Sequence, residues 1–205
     1  MPTLVTPRGE ATRARIVQAA TELVSARGIA GTTLEDVLYA SRTGKSQFYS
    51  HFANKDALML AVVTAQSERV LGFQTFRLSG VDSLESLRQW RDQIVSLFQA
   101  TRGIGGCLIG SLASALADRS EETREVLAKG FQRWESDVLT ALKAMQDNGI
   151  LRQSAHLEDL ATAVVSALQG GLLLAQTTRS TRPLELALDM ALEHISACSV
   201  RAEPI

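Results

Sequence analysis

Apolar residues recur at helical spacing along most of the chain. Ile16, Ala19, Ala20, Leu23 and Val24 form one stripe with the three-to-four-residue period of an amphipathic helix. Gly28 closes that run as a C-terminal cap. In GTTLED, Thr32 and Glu35 have the spacing of a capping box, and Leu34, Val37 and Leu38 make the inner side of a short second helix. SRTG breaks it, and residues 44–51 leave room for about two turns of a third helix. Asn54 as N-cap and Asp56 in the first turn open a fourth, from Lys55 to about Leu78.

Five further helices follow. Asp82 and Glu85 cap one that reaches Thr101, and a short one covers Cys107 to Ala117. Ser120 opens a long one with its stripe at Leu127, Phe131, Trp134, Val138, Leu142 and Met145, ended by DNGILR. The next runs from His156 to Thr178. Pro183, at a first-turn position, opens the last, to about Cys198. Residues 1–9 hold two prolines and no period, and read as a loose arm. No strand or internal repeat is evident. The pattern predicts an all-α chain of about nine helices: an arm and helix-turn-helix head over residues 1–53 and a larger helical body over 54–205.

Charge sharpens this division. The net charge is −1, yet residues 1–55 carry seven Lys/Arg against four acids, which leaves the remainder at −4. A basic unit on an acidic body suits a polyanion at one end only. Cys107 and Cys198 are far apart in apolar surroundings, which fits neither a disulfide framework nor a CxxC metal site and points to a reducing cytoplasm. Residues 160–178 carry no charge, but six polar residues interrupt them, so a buried helix is expected rather than a membrane span.

TGKSQFYSHFANKDAL, residues 43–58, holds the candidate chemistry. A P-loop would need glycine where Tyr39 stands, and a strand before it. His51, His156 and His194 are isolated, and no HExxH or GxSxG occurs, so neither a metal, a cofactor nor catalysis is expected. A helix-turn-helix accounts for more of the residues. With Phe48 turned to the core, steps of about 100° place Ser46 and Ser50 nearly opposite, and Gln47 and Tyr49 on the flanks. Such side chains can reach base edges in a major groove. Lys45, near the helix N-terminus, suits a phosphate, and Arg42, Thr43 and Lys55 suit backbone contacts.

These residues resemble the TetR family of transcriptional regulators. The family pattern G…T…I…A…GVSKGTLYHHF followed by KEDL reads here GIAGTTLEDVLYASRTGKSQFYSHFANKDAL. Phe48-Tyr49, His51-Phe52 and NKDAL are the specific points. A looser match joins GCLIGSLASALA, QRWE, NGILR and ALQGGLLLA to one branch of the family. The resemblance implies phosphate contacts from Thr33, Thr43, Tyr49 and Lys55. It implies base or groove contacts from Lys45, Ser46, Gln47 and Ser50, with His51 near the backbone. Arg42-Thr43-Gly44 replaces the family's Gly-Val-Ser, so the turn lacks its usual glycine and capping serine, and Thr43 is expected to cap instead.

A single short reading helix contacts few base pairs, so a homodimer on two half-sites of double-stranded DNA is expected. Val164, Leu168 and Leu172, with Leu184, Leu188, Leu192 and Ile195, are the stripes expected at the dimer surface; the same stripes would also suit a monomer core. The resemblance implies a small-molecule effector in the body. Candidate walls are Trp90, Phe98, Cys107, Leu112, Phe131, Trp134, Gln169 and Gln176. Few charges fall on the inward stripes, so the effector is expected to be largely apolar. GCLIGSLASALA, apolar nearly all round, is expected to be central and to pass effector binding to the fourth helix. The expectation is a ligand-responsive repressor in the cytoplasm. A helical enzyme, or a small-molecule-binding protein without DNA function, is the alternative.

Overall fold

A computed structural model describes residues 7–101 and 106–200. Among them are nine helices: α1 (Pro7–Arg27), α2 (Leu34–Ser41), α3 (Lys45–Tyr49), α4 (Lys55–Leu78), α5 (Leu84–Ala100), α6 (Leu108–Leu116), α7 (Glu121–Asp147), α8 (Leu157–Thr178) and α9 (Arg182–Ala197). The fold is all-α. One isolated antiparallel bridge, Leu151 with Ser199, ties the loop after α7 to the segment after α9. The contacts divide the chain into two compact units. The first holds the described residues up to Glu68 together with Leu112–Leu127, and the second holds those of Arg69–Ser111 and Ala128–Ile205.

In the first unit, Ile16, Ala20, Val37, Phe48, Phe52, Leu58 and Val63 are buried. Complete burial of one such large side chain contributes about 1.5–3 kcal/mol. Three side chains tie the short helices down at their exposed ends. Arg15 Nε donates to Ser41 O at 2.8 Å, Lys55 Nζ donates to Thr32 O at 2.6 Å, and the Arg13 guanidinium lies 5.2 Å from the Phe52 ring centroid. Gly28 adopts φ +72, as a C-terminal glycine should.

Several local expectations are corrected. The arm ends sooner than residue 9, because Pro7 begins α1, where its missing N–H costs nothing; residues 1–6 lie outside the described residues. The capping box of α2 is Thr33 with Asp36, not Thr32 with Glu35. Thr32 is buried and donates its hydroxyl to Gly28 O at 2.8 Å. Helix α5 is capped by Ser83 with Ser86 rather than Asp82 with Glu85. In both cases a second hydroxyl or carboxylate lies one residue along, and the chain entering the helix selects between them. The Asn54 cap does form, accepting from Ala57 N at 2.8 Å.

The α2 cap gives a pH-dependent contribution. Hydrogen bonds from the Thr33 hydroxyl and then from the Thr33 backbone N–H hold Asp36 below the usual carboxylate range. A lowered folded pKa adds stability above the ordinary carboxylate value, about 3.9, and that share disappears as pH falls through the folded value. Asp36→Asn therefore lowers the melting temperature at pH 7, and the deficit shrinks as the pH falls toward 2. Thermal melts of both proteins across that range check it, and an equal deficit at both ends would remove the carboxylate from the account.

In the second unit, α8 and α9 pack along their length. Gly171 allows this: an added Cβ would stand 3.0 Å from Leu184 Cα and 3.1 Å from Ala187 Cβ. Helix α8 is long and apolar enough to cross a bilayer, but Leu157, Leu160, Val164, Val165, Leu168 and Ala175 are buried within the chain. Arg91 on α5 forks onto Asp189 on α9, with Nε–Oδ1 at 2.8 Å and Nη2–Oδ2 at 2.9 Å. Thr75 Oγ1 donates to Asp137 Oδ2 at 2.6 Å, joining α4 to α7, and Arg77 Nη1 donates to Gln93 Oε1 at 3.1 Å, joining α4 to α5. Helix α6 is not enclosed on all sides. Ile109, Leu112 and Leu116 are buried, while Ser111, Ser114 and Ala115 are exposed, because its small residues need no partner on that face.

Candidate nucleic-acid interface

Helix α3 has only five residues, too few to persist alone. Phe48 holds it. Its ring is wholly buried, edge-on to Tyr49 at 5.2 Å and tilted against Phe52 at 5.5 Å. With Phe48 inward, Lys45, Ser46, Gln47, Tyr49 and Ser50 are all exposed. Ser50 Oγ donates to Gln47 O at 2.7 Å, which still leaves the hydroxyl oxygen free to accept. Gly44 is the N-cap residue, and its N–H donates to Gln47 Oε1 at 3.3 Å, half of a capping box made without a hydroxyl.

Thr43 is the clearest departure in the turn. It does not cap α3; its side chain is 8 % exposed and shares a 2.6 Å hydrogen bond with Ser41 Oγ. Its N–H is given to Leu38 O at 3.0 Å. The preceding helix has to end in a left-handed residue, Arg42 at φ 52, and that step rotates Thr43 inward. Both polar groups of Thr43 thus serve the turn and not a surface. Arg42 itself is exposed.

The remaining predicted residues differ in exposure and in what they bond. Thr33 is exposed, but its proton is committed to Asp36 Oδ2 at 2.7 Å. Lys55 is half-buried and directs its ammonium to Thr32 O, so it supports the fold as well as adding charge. His51 is half-buried. Lys45 Nζ lies 4.0 Å from Glu35 Oε1, an exposed and weak pair that a phosphate could displace. Tyr39 was not singled out from sequence. It is 89 % exposed on α2, one turn beyond Glu35 on the same side. The available signal was a large aromatic on the outer side of a short helix in a chain with few aromatics.

The predicted pocket walls are scattered more widely. Trp90, Phe98, Leu112 and Trp134 are buried, and Cys107, Phe131, Gln169 and Gln176 are half-buried. In the second unit, the start of α6 faces α8. Cys107 Sγ accepts from Gly110 N at 3.4 Å and from Gln169 Nε2 at 3.3 Å. Gly106 and Gly110 leave the room that the Gln176 and Gln169 amides occupy. A separate groove of about 420 Å³ lies between α5 and α9, lined by Arg88, Arg91, Asp92, Asp189, Leu192, Glu193 and Ser196. Apart from its single leucine it is polar, and it includes none of the expected walls.

The stripes expected at the dimer surface lie largely inside one chain. Val164, Leu168, Leu184, Leu188, Leu192 and Ile195 are each at most 9 % exposed within one chain. Leu172 is half-buried. They fill the α8–α9 seam and the core behind it. The opposite faces of the two helices carry the exposed apolar residues: Leu173 at 63 % and Leu174 at 55 % on α8, and Leu186 at 53 % and Met190 at 65 % on α9. Exposed Ser166 and Gly170 lie on that side of α8.

Comparison with known proteins bears on both parts of the chain. Residues 16–62 match the family model described as bacterial regulatory proteins, tetR family. Residues 83–190 match the C-terminal domain of LmrA/YxaF-like transcriptional regulators. An HTH-type transcriptional regulator of Lactococcus lactis, encoded in the lacX 3′ region, is 30 % identical over 87 % of this chain and 90 % of its own length. The Escherichia coli repressor NemR is 28 % identical over 86 % of this chain and 90 % of its own length. Its reduced-form crystal structure superposes with a TM-score of 0.73 at 25 % identity, covering 93 % of this chain and 97 % of that one. A regulator from Cytophaga hutchinsonii, at 19 % identity, shares the fold with a TM-score of 0.83 over 96 % and 99 % of the two chains.

Proposed function

This chain belongs to the TetR family of DNA-binding transcriptional regulators, not to a family of enzymes, and on that premise we propose a homodimeric cytoplasmic repressor that leaves a palindromic operator when a small, largely apolar effector binds its body. Residues 1–53 serve as the DNA-binding domain and 54–205 as the effector-binding and dimerisation domain. The exposed polar face of α3 carries the reading: Ser46, Gln47 and Ser50 face solvent on a helix whose one aromatic anchor is fully buried. These three meet base edges, and Tyr49, Arg42, Lys45 and Tyr39 meet the sugar-phosphate backbone at the rim. Repression is the favoured sign because relatives such as NemR and DhaR are named repressors. Helix α4 runs without a break from the head into the body and is the path by which effector binding reaches the DNA.

Selection of bound fragments from random DNA yields a two-fold symmetric site, with affinity that falls steeply with salt. A sequence-blind pool, or salt-insensitive binding, would count against the proposal. Two variants separate reading from positioning. Gln47→Ala changes the preferred base at one position per half-site and discriminates less by about 1–3 kcal/mol. Arg42→Gly removes a charge at a residue whose left-handed backbone glycine tolerates, so folding is preserved. It weakens all DNA alike and lowers the salt slope by about one per head. Competition assays on matched and mismatched duplexes at several salt concentrations check both.

A further inference from the structure

Helix α3 carries a single cation, Lys45. Its ammonium lies 4.0 Å from Glu35 Oε1 in the first turn of α2, and the two side chains are 69 % and 72 % exposed. The other lysine of the head is already in use, because Lys55 Nζ donates to Thr32 O at 2.6 Å. So is the neighbouring acid. Asp36 accepts from the Thr33 N–H and hydroxyl at 3.0 and 2.7 Å, and lies 3.8 Å from Arg27. Glu35 has no such duty. Among the described residues Lys45 is its one partner. Its side of α2 is open to solvent, for Tyr39, one turn further along, is 89 % exposed.

A carboxylate beside a helix that meets a polyanion opposes the encounter. In the free protein it neutralises Lys45, weakly, as exposed pairs do. On DNA a phosphate takes its place on the ammonium, and the carboxylate is left uncompensated next to the duplex. A lysine that meets a phosphate frees a condensed cation from the DNA, and that release makes binding salt-dependent. A carboxylate uncovered in the same step keeps a cation nearby, so the net release from Lys45 is small.

We propose that Glu35 is a built-in counter-ion for Lys45, which competes with DNA phosphate for the ammonium and lowers the affinity for every sequence without reading bases. This rests on the reading of α3 as the DNA-binding face, and adds to it an element that keeps binding weak enough to be reversed. Its position also lets Glu35 favour the dipole of α2. That share appears in the melting temperature and not in the salt dependence.

Glu35→Gln keeps the size of the side chain and removes its charge. The full-length protein is titrated with a mixed-sequence duplex of about 30 base pairs, long enough for two half-sites, and with fragments enriched by selection. Glu35→Gln binds both about tenfold more tightly at low salt, roughly threefold for each head. The slope of log affinity against log salt steepens by about one per head. In a Lys45→Ala background the same substitution gains less than about twofold. Selection with Glu35→Gln returns the parent's consensus. Unchanged affinity and slope would overturn the proposal. So would an equal gain in the Lys45→Ala background, because the acid would then act on DNA without Lys45. An altered base preference would overturn it as well, since Glu35 would then touch a base, as carboxylates do at cytosine N4. A parent protein without salt-dependent DNA binding would remove the operator reading itself, and this proposal with it.

Discussion

Phe48→Ala abolishes operator binding while the second unit stays folded. The substitution removes the ring on which α3 depends, at a cost of about 3–5 kcal/mol for a large buried aromatic. The five residues of α3 cannot recover by intrinsic propensity. Tyr49 and Phe52 lose their ring partner in the same step. Operator affinity falls at least a hundredfold by the roughly tenfold-per-1.4 kcal/mol relation, and hydrogen exchange of the α3 amides rises with it. Both tryptophans lie in the second unit, so their near-ultraviolet circular dichroism reports that unit separately and remains at wild-type strength. Phe48→Leu keeps most of the apolar volume and retains measurable binding. Near-wild-type operator affinity in Phe48→Ala would mean that DNA is read by some other surface.

Leu173→Asp combined with Met190→Asp yields a folded monomer that binds the full operator at least a hundredfold more weakly. The two side chains are 63 % and 65 % exposed in one chain, so charging them costs the monomer little. In a two-fold dimer each substitution appears twice, on self-complementary surfaces, and places carboxylates where apolar contact is buried. The second half-site is then no longer held at high effective concentration. Sedimentation and operator titration read the two effects together. Val164→Ala is the matched control. It lies in the α8–α9 seam at 1 % exposure, so it costs about 1–3 kcal/mol of packing, lowers the melting temperature and leaves association intact. If Val164→Ala dissociates the dimer and the double aspartate does not, the buried stripe is the interface after all.

The contrast between those two sites shows why sequence reading succeeds and fails where it does. Period and breaker residues placed every helix to within a few residues, from Lys55–Leu78 to Leu157–Thr178, because 3.6-residue repetition and helix stops are properties of adjacent residues. The outward face of α3 followed from the same geometry once Phe48 was turned inward, since a single large aromatic on a very short helix leaves one orientation that buries it. Both caps that were misplaced by one residue, at Thr33 and Ser83, involve neighbouring hydroxyl-bearing or acidic residues of similar capping strength, and only the incoming chain path chooses between them.

What the sequence determined by itself, then, is the all-helical fold, the helix-turn-helix, and the side of α3 that remains in water. The tertiary structure decided everything that depends on which helix meets which. It assigned Leu168 and Leu188 to the core and Leu173 and Met190 to the surface, turned Thr43 onto Ser41, and left the indoles of Trp90 and Trp134 without acceptors. Helical periodicity reveals that a stripe must be covered, but the covering partner is a fact about three-dimensional neighbours, and two apolar sides of one helix look alike until one of them has been filled.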